Sequence, residues 1–582
     1  MLKLVRRSTF QRMRRRLARL YGPERVDQLA DRLYAMIGRY GVVADPNNNP
    51  KELWDERDAV LITYADMVQK KGERPLVSLK EFCDRRLRGA INTVHLLPFC
   101  PASSDGGFSV IDYREVAPEH GTWRDVQTLG QDYELMFDLV LNHCSRKSAY
   151  FKDFINGVLP GADFFIEPGE DWDISKVVRP RPWPLLTPIK RVDSETKVWT
   201  TFSDDQIDLN WACPDVLFEF LDILLFYIAK GARIVRLDAV AFLWKEPGTE
   251  CIHLPQTHEV IKLIRDVLQT VAPEVIILTE TNVPHQENIS YFGRGDEAHM
   301  VYNFSLPPLL LHALLKEDTR VFGDWLAGLG ETPAKCTYLN FTASHDGIGV
   351  RPLQGLVPDE EIDWLVTQTR ERGGLVGMRS IEGGGERPYE LNITYRDALD
   401  DSQDSRKGVA RFLCSQTVAM SLKGVPALYF HSFVGTHNDQ EGAAAGERRD
   451  INRKRWNKSE LGELLDQTDN DHSVILNVLV SLLTRRGSHP AFHPDARQIV
   501  LETDRQILAF LRESLDRQER ILCLFNFSSE PYPIDETWVR ERLHGAAGDI
   551  RNMLLGSRME FQDGRYQASP FQGFWMAASK EK

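Results

Sequence analysis

The chain has 582 residues, of which 42% are hydrophobic and 10% aromatic, enough to bury a large core shared among roughly two to four domains. A net charge of −13 and a pI near 5.7 exclude a general polyanion binder, because nucleic-acid affinity rests on clustered Lys and Arg. Small molecules are therefore the expected partners, with no nucleic acid among them.

In chain order, the first segment, "MLKLVRRSTFQRMRRRLARL", is strongly basic, while Leu17, Leu20 and later apolar positions recur at helical spacing. Residues 1–55 are expected to form a helical extension with a solvated basic face. The segment lacks the apolar stretch of a secretion signal. The most apolar run, "VLFEFLDILLFYIA", is too short to span a bilayer and carries Glu219 and Asp222. No membrane span is expected, and a cytoplasmic protein is. The eight cysteines show no CxxC or Cys/His clustering, which fits reduced, buried thiols and no metal site.

Eight short β-branched runs then alternate with helical segments: "DAVLITYAD", "INTVHLLPF", "YELMFDLVLNH", "ARIVRLDAV", "EVIILTETN", "HMVYNF", "TYLNFTASHD" and "VPALYF". Strands separated by helices predict an α/β fold, a parallel sheet closed into a (β/α)8 barrel. The alternative, an open doubly wound sheet, lacks a Gly-rich phosphate fingerprint after the first strand. The barrel is assigned to 56–143 and 212–490. Two connections are too long for βα loops and are read as insertions: 144–211, rich in Pro, Asp and aromatics, and 351–398, which includes "EGGGERPYE". From 491 to 582 the pattern becomes strand and turn without helices, which predicts a C-terminal β-sandwich.

The strand ends carry the chemistry. Arg236 and Asp238 lie two residues apart in one apolar run, so both face the same way. Asp138, Asn142 and His143 end the third run, Glu280 the fifth, and His345 with Asp346 the seventh. Any one of these alone reads as a cap or structural ion pair. In a barrel, however, all carboxyl ends converge on one face, and so many charged groups gathered there point to a ligand. Three acids without a serine elbow or catalytic thiol suit acetal chemistry, in which one carboxylate attacks the anomeric carbon and a protonated second one assists the leaving oxygen. Arg236 would hold Asp238 ionised, and Glu280 would need a raised pKa to keep its proton. His95 and the Trp of "RPWPLL" read first as packing residues. No oxygen-ligand spacing suggests calcium, and the scheme needs no metal or cofactor.

"DLVLNH", "RIVRLDAVAF", "ILTETN" and "TASHDG" resemble, in order and strand context, the signature regions of the α-amylase superfamily (glycoside hydrolase family 13), and "QIDLN" resembles a fifth. The resemblance implies Asp238 as nucleophile, Glu280 as general acid/base and Asp346 as the acid that holds sugar hydroxyls, with Arg236, His143 and His345 lining the donor subsite. "LLPFCPASSDGGFSVIDY", "WTTFSDDQIDLN", "FLWKEPGT" and "DINRKRW" are similar to the sucrose phosphorylase subfamily, and the chain as a whole to its glucosylglycerate phosphorylase branch. That implies an Asp105–Arg453 ion pair closing the donor subsite, Phe108 as its aromatic wall, and inorganic phosphate as co-substrate in a retaining double displacement. Phe242 and Asn282 stand where sucrose phosphorylases carry Tyr and His, which disfavours sucrose. His437, Arg448 and Arg449, in "GTHNDQEGAAAGERRDINR", are candidate phosphate and acceptor contacts. Glucosylglycerol, sucrose and sucrose 6'-phosphate phosphorylases, and an α-glucosidase or transglucosidase, are the alternatives. A monomer or homodimer is expected.

Overall fold

The computed structural model describes residues 7–40, 52–192, 194–380, 385–400, 404–544 and 548–579. Part of the "EGGG" turn and the ends of the N-terminal extension lie outside the described residues.

Eight parallel strands close into a barrel: β1 (Val60–Thr63), β2 (Thr93–Leu96), β3 (Glu134–Val140), β4 (Ala232–Asp238), β5 (Ile276–Thr279), β6 (Met300–Tyr302), β7 (Thr337–Phe341) and β8 (Val425–Tyr429). Each pairs with the next in sequence, and β1 closes against β8 through Val60–Ala427 and Ile62–Tyr429. Every residue of β1, β2, β5 and β8 is buried, because helices cover the outside and packed side chains fill the inside. That explains why these strands read as continuous apolar runs rather than alternating ones.

Two insertions rise from the carboxyl end of the barrel. Between β3 and β4, Leu186–Lys190 pairs antiparallel with Glu195–Trp199, and His143–Ser145 pairs with Gln206–Asp208. Between β7 and β8, Ile348–Gly349 and Leu375–Ser380 flank Glu386–Asn392 in an antiparallel sheet beside the helix Asp359–Glu371.

Past the barrel, Arg497–Val500, Ile507–Glu513 and Arg520–Asn526 begin a six-stranded sheet that Gly573–Ala578 joins centrally. One face, with Leu508, Phe510, Cys523 and Trp575, joins the main core; the other, with Leu511, Leu524 and Met576, is covered by Ile534, Val539 and Ala568. Val539 belongs to the helix Glu536–Arg542, an element the strand-and-turn pattern did not predict. Its apolar content is short and begins at the Asp535 cap, so a seven-residue window shows little periodicity.

The basic N-terminal segment forms helices α1 (Arg7–Tyr21) and α2 (Val26–Arg39), and its basic face is not simply solvated. Arg16 is buried, with Nε 2.7 Å from Asp266; Arg12 lies 2.8 Å from the same carboxylate, and Arg19 lies 2.7 Å from Glu259. Both acids project from the helix Pro255–Val271, which follows β4. Part of the positive charge is thus paired within the fold, while Arg7, Arg15 and Arg19 remain exposed. Among the described residues, no helix is long and apolar enough to cross a membrane.

Candidate active site

A pocket of about 660 Å³, counting its open mouth, lies at the carboxyl end of the barrel. Its wall includes Asp105, Phe108, His143, Asp238, Phe242, Glu280, Asn282, His345, Asp346 and Arg449, ten of the residues singled out from sequence. They come from loops after β2, β3, β4, β5, β7 and β8, so closure of the barrel is what brings them together.

Beneath the pocket runs a buried polar chain. His95 on β2 bonds Asp138 on β3 at 2.7 Å; Arg236 on β4 donates through Nη1 both to Asp138 and, at 2.7 Å, to Asp238. His95, read first as a packing residue, therefore orients Asp138. Burial opposes ionisation of Asp138, but Arg236 and His95 overcome it and hold the carboxyl below its ordinary value. Asp238 ends β4, and Ala239 then turns at φ 49°, a left-handed conformation rare for a residue with a side chain. The turn aims the Ala239 amide at Glu280, whose Oε2 accepts it at 2.9 Å.

Glu280 and Asp238 are both buried at the head of this polar chain. Burial raises the pKa of Glu280, with Asp346 and Asp138 adding repulsion and Arg236 opposing. Asp238 is raised as well, by burial first and then by Glu280 and Asp138, against the pull of Arg236. The pair therefore retains a proton at a pH where free carboxyls would lose theirs. Arg236 is hydrogen-bonded to Asp238 and not to Glu280, which favours placing the negative charge of the pair on Asp238.

Asp346 behaves oppositely. Burial would raise it, but Arg449 at 2.8 Å, with the charges of Arg453 and Arg236, holds it ionised, well below the usual carboxylate range. His345 is kept neutral, lowered to about 3 by burial, and stacks flat on Phe108 with ring centroids 4.7 Å apart. His143 accepts at Nδ1 from Asn142, which leaves its Nε2–H to donate to the Phe108 carbonyl at 3.1 Å. Asn142 is held in turn by Asp208 at 3.0 Å and Lys245 at 2.8 Å, so "QIDLN" and "FLWK" meet behind the site.

"SSDGGFS" places Asp105 and Phe108 through two glycines that cannot carry side chains. A Cβ on Gly106, at φ 59°, would lie 2.7 Å from the Arg453 guanidinium, and one on Gly107 would lie 2.6 Å from the Pro98 carbonyl.

Three assignments need correction. The expected Asp105–Arg453 ion pair is not formed: Asp105 pairs with Arg449 at 3.4 Å, because Arg453 is held behind His345 by a 2.9 Å bond to its carbonyl. The charge of Arg453 still helps Arg449 hold Asp105 below its ordinary pKa, against burial. His437 is turned away to Asp397 and lines a separate surface hollow. Arg448 is exposed and donates to the Val376 carbonyl at 3.2 Å, since neighbouring residues of the short turn Arg448–Asn452 project in different directions.

The insertions supply residues that sequence reasoning missed. Arg181 and Gln206 come from the first, and Arg351, Tyr389 and Glu390 from the second. Gln206 donates to Asp105 at 3.2 Å; Glu390 clamps Arg449 with contacts of 2.6 and 3.1 Å. The signal available was their position in polar, Pro-rich insertions on the barrel's active face.

An eight-stranded parallel barrel with three carboxylates and a buried arginine at its carboxyl rim defines an α-amylase-type glycoside-processing enzyme. The alpha amylase catalytic domain matches residues 89–323. The chain is 47% identical to a glucosylglycerate phosphorylase of Spirochaeta thermophila over 89% of both chains, and 45% identical to one of Escherichia coli over 90% of this chain and 93% of that one. A glucosylglycerol phosphorylase of Marinobacter adhaerens is 30% identical over 74% of this chain and 87% of its own. Among solved structures, a sucrose 6F-phosphate phosphorylase of Thermoanaerobacter thermosaccharolyticum superposes with TM-score 0.70 at 25% identity, covering 81% of this chain and 94% of that one. The chain belongs to the α-amylase superfamily, in the group of glucoside phosphorylases that includes the glucosylglycerate phosphorylases.

Proposed function

We propose that the protein catalyses reversible phosphorolysis of 2-O-α-glucosylglycerate to α-glucose 1-phosphate and glycerate, with retention. The observation that carries this reading is the 44–47% identity to three glucosylglycerate phosphorylases over at least 86% of the chain. The pocket is compatible with it: Arg449 and Arg181 are paired with acids of the wall, but Arg351 lines the cavity with no carboxylate nearer than 3.7 Å and is open to an anionic co-substrate.

In this reading Asp238 attacks the anomeric carbon while Glu280 gives its proton to the departing glycerate oxygen. Phosphate then attacks the glucosyl-enzyme ester and passes its proton to the Glu280 carboxylate, releasing α-glucose 1-phosphate and restoring both acids. Asp346 accepts hydrogen bonds from sugar hydroxyls, and Phe108, His143, His345 and Asp105 shape a subsite for one glucosyl unit. Arg236 and Arg453 act from behind, by orienting Asp238 and His345. No metal or organic cofactor takes part, and a cytoplasmic location suits enzymes that use intracellular phosphate.

Phosphorolysis of 2-O-α-glucosylglycerate followed by proton NMR tests the reading. The α anomer of glucose 1-phosphate is expected as the first product; the β anomer would rule out double displacement, and free glucose would make water the second nucleophile.

A further inference from the structure

Arg351 lines the active-site pocket. It follows the strand Ile348–Gly349, and a Cβ on Gly349 would lie 2.6 Å from the Asn282 amide, two residues beyond Glu280. The amide of Val350 is tied to the Tyr389 carbonyl at 3.0 Å, which fixes the backbone that presents Arg351 to the cavity. Its only carboxylate partner among the described residues is Glu287 at 3.7 Å, beyond hydrogen-bonding distance.

A second guanidinium stands behind it. Arg379 pairs in register with Arg387 across the antiparallel sheet, and Arg387 is already engaged by Asp359 at 3.0 Å. Arg379 Nε is buried with no hydrogen-bond partner. Burial, and then the like charges of Arg351 and Arg387, disfavour its charged form. Arg351, a pocket-lining arginine with no carboxylate within hydrogen-bonding distance, makes a site that an oxyanion would complete, and Arg379 adds its charge to it.

We propose that Arg351, backed by Arg379, is an acceptor-side oxyanion subsite that takes the carboxylate of the acceptor. The inference rests on the phosphorylase reading above. Phosphate must reach the anomeric carbon beside Glu280, whereas one carbon separates the carboxylate of a 2-linked glycerate from the transferred oxygen.

The test uses the full chain with α-glucose 1-phosphate as donor and compares glycerate with its neutral amide, glyceramide. In Arg351→Gln, the ratio of kcat/KM for glycerate to that for glyceramide should fall on the order of 10- to 100-fold, because a charge-assisted bidentate contact is lost. Arg379→Gln should lower the same ratio several-fold, and Arg351→Lys, which keeps charge without the fork, should fall between wild type and Arg351→Gln. The lysine variant and Arg379→Gln carry the test if the glutamine variant does not fold by circular dichroism. A parallel arm measures the KM for phosphate with α-glucosyl fluoride as donor. A ratio within twofold of wild type in the folded variants overturns the proposal, as does a raised phosphate KM with an unchanged ratio. Wild-type protein that shows no glycerate-dependent phosphate release would instead sink the underlying reading.

Discussion

The Asp238–Glu280 pair has one asymmetry: both are buried, but of the two only Asp238 accepts a hydrogen bond from Arg236, which also binds Asp138. Asp238→Asn should therefore reduce glucosyl transfer by roughly a thousandfold or more while leaving the circular dichroism spectrum unchanged. Glu280→Gln should cost about 10²- to 10⁴-fold with a glucoside, and recover much of that with α-glucosyl fluoride, whose leaving group needs no proton. Equal losses on both donors would remove Glu280 from the acid role. The raised pKa of Glu280 also has a thermodynamic sign. The fold binds that proton more tightly than the unfolded chain does, so its stabilising contribution is complete below the ordinary value near 4.5 and is lost as pH rises through the raised one. Glu280→Gln should raise the Tm relative to wild type more at pH 8 than at pH 5, by about 1–2 °C. A larger gain at pH 5 would contradict the assignment. Asp346, lowered by Arg449 against burial, contributes with the opposite sign, its stabilisation fading as pH falls below the ordinary value of 3.8.

At the scale of elements, strand ends were legible and insertions were not. The third, fourth, fifth and seventh barrel strands are apolar runs that end in polar residues, so Arg236, Asp238, Glu280 and Asp346 could be placed at one rim from pattern alone. Arg181, Gln206, Arg351 and Glu390 sit in segments whose conformation depends on tertiary pairing, such as Ile348 with Leu391, and no local period announces them. The same limit misdirected His437 and Arg448, sequence neighbours of Arg449 that a short turn sends elsewhere. The basic helix α1 was misread for a related reason: its counter-ions, Asp266 and Glu259, lie some 250 residues away. Arg16→Met should destabilise the protein by about 2–3 kcal/mol in urea unfolding, because Asp266 stays buried with only Arg12 as partner. A change below about 0.5 kcal/mol would mean the pair contributes nothing beyond its apolar packing.

For the whole molecule, the barrel class followed from eight strand-like runs alternating with helical segments, and the C-terminal sheets from the change of period after residue 490, although the helix Glu536–Arg542 escaped notice. The choice of phosphate over water was not readable from spacing, since the same three acids serve both nucleophiles. The two insertions contribute Arg181, Gln206, Arg351, Tyr389 and Glu390 to the pocket wall, where such a choice would be made. The central claim is therefore tested most directly by phosphate release from α-glucose 1-phosphate, offered in turn with glycerate, glycerol, fructose, fructose 6-phosphate and no acceptor. Release that depends on glycerate is the predicted result. Release at the same rate without any acceptor would show that water takes the glucosyl unit, and would contradict the phosphorylase assignment.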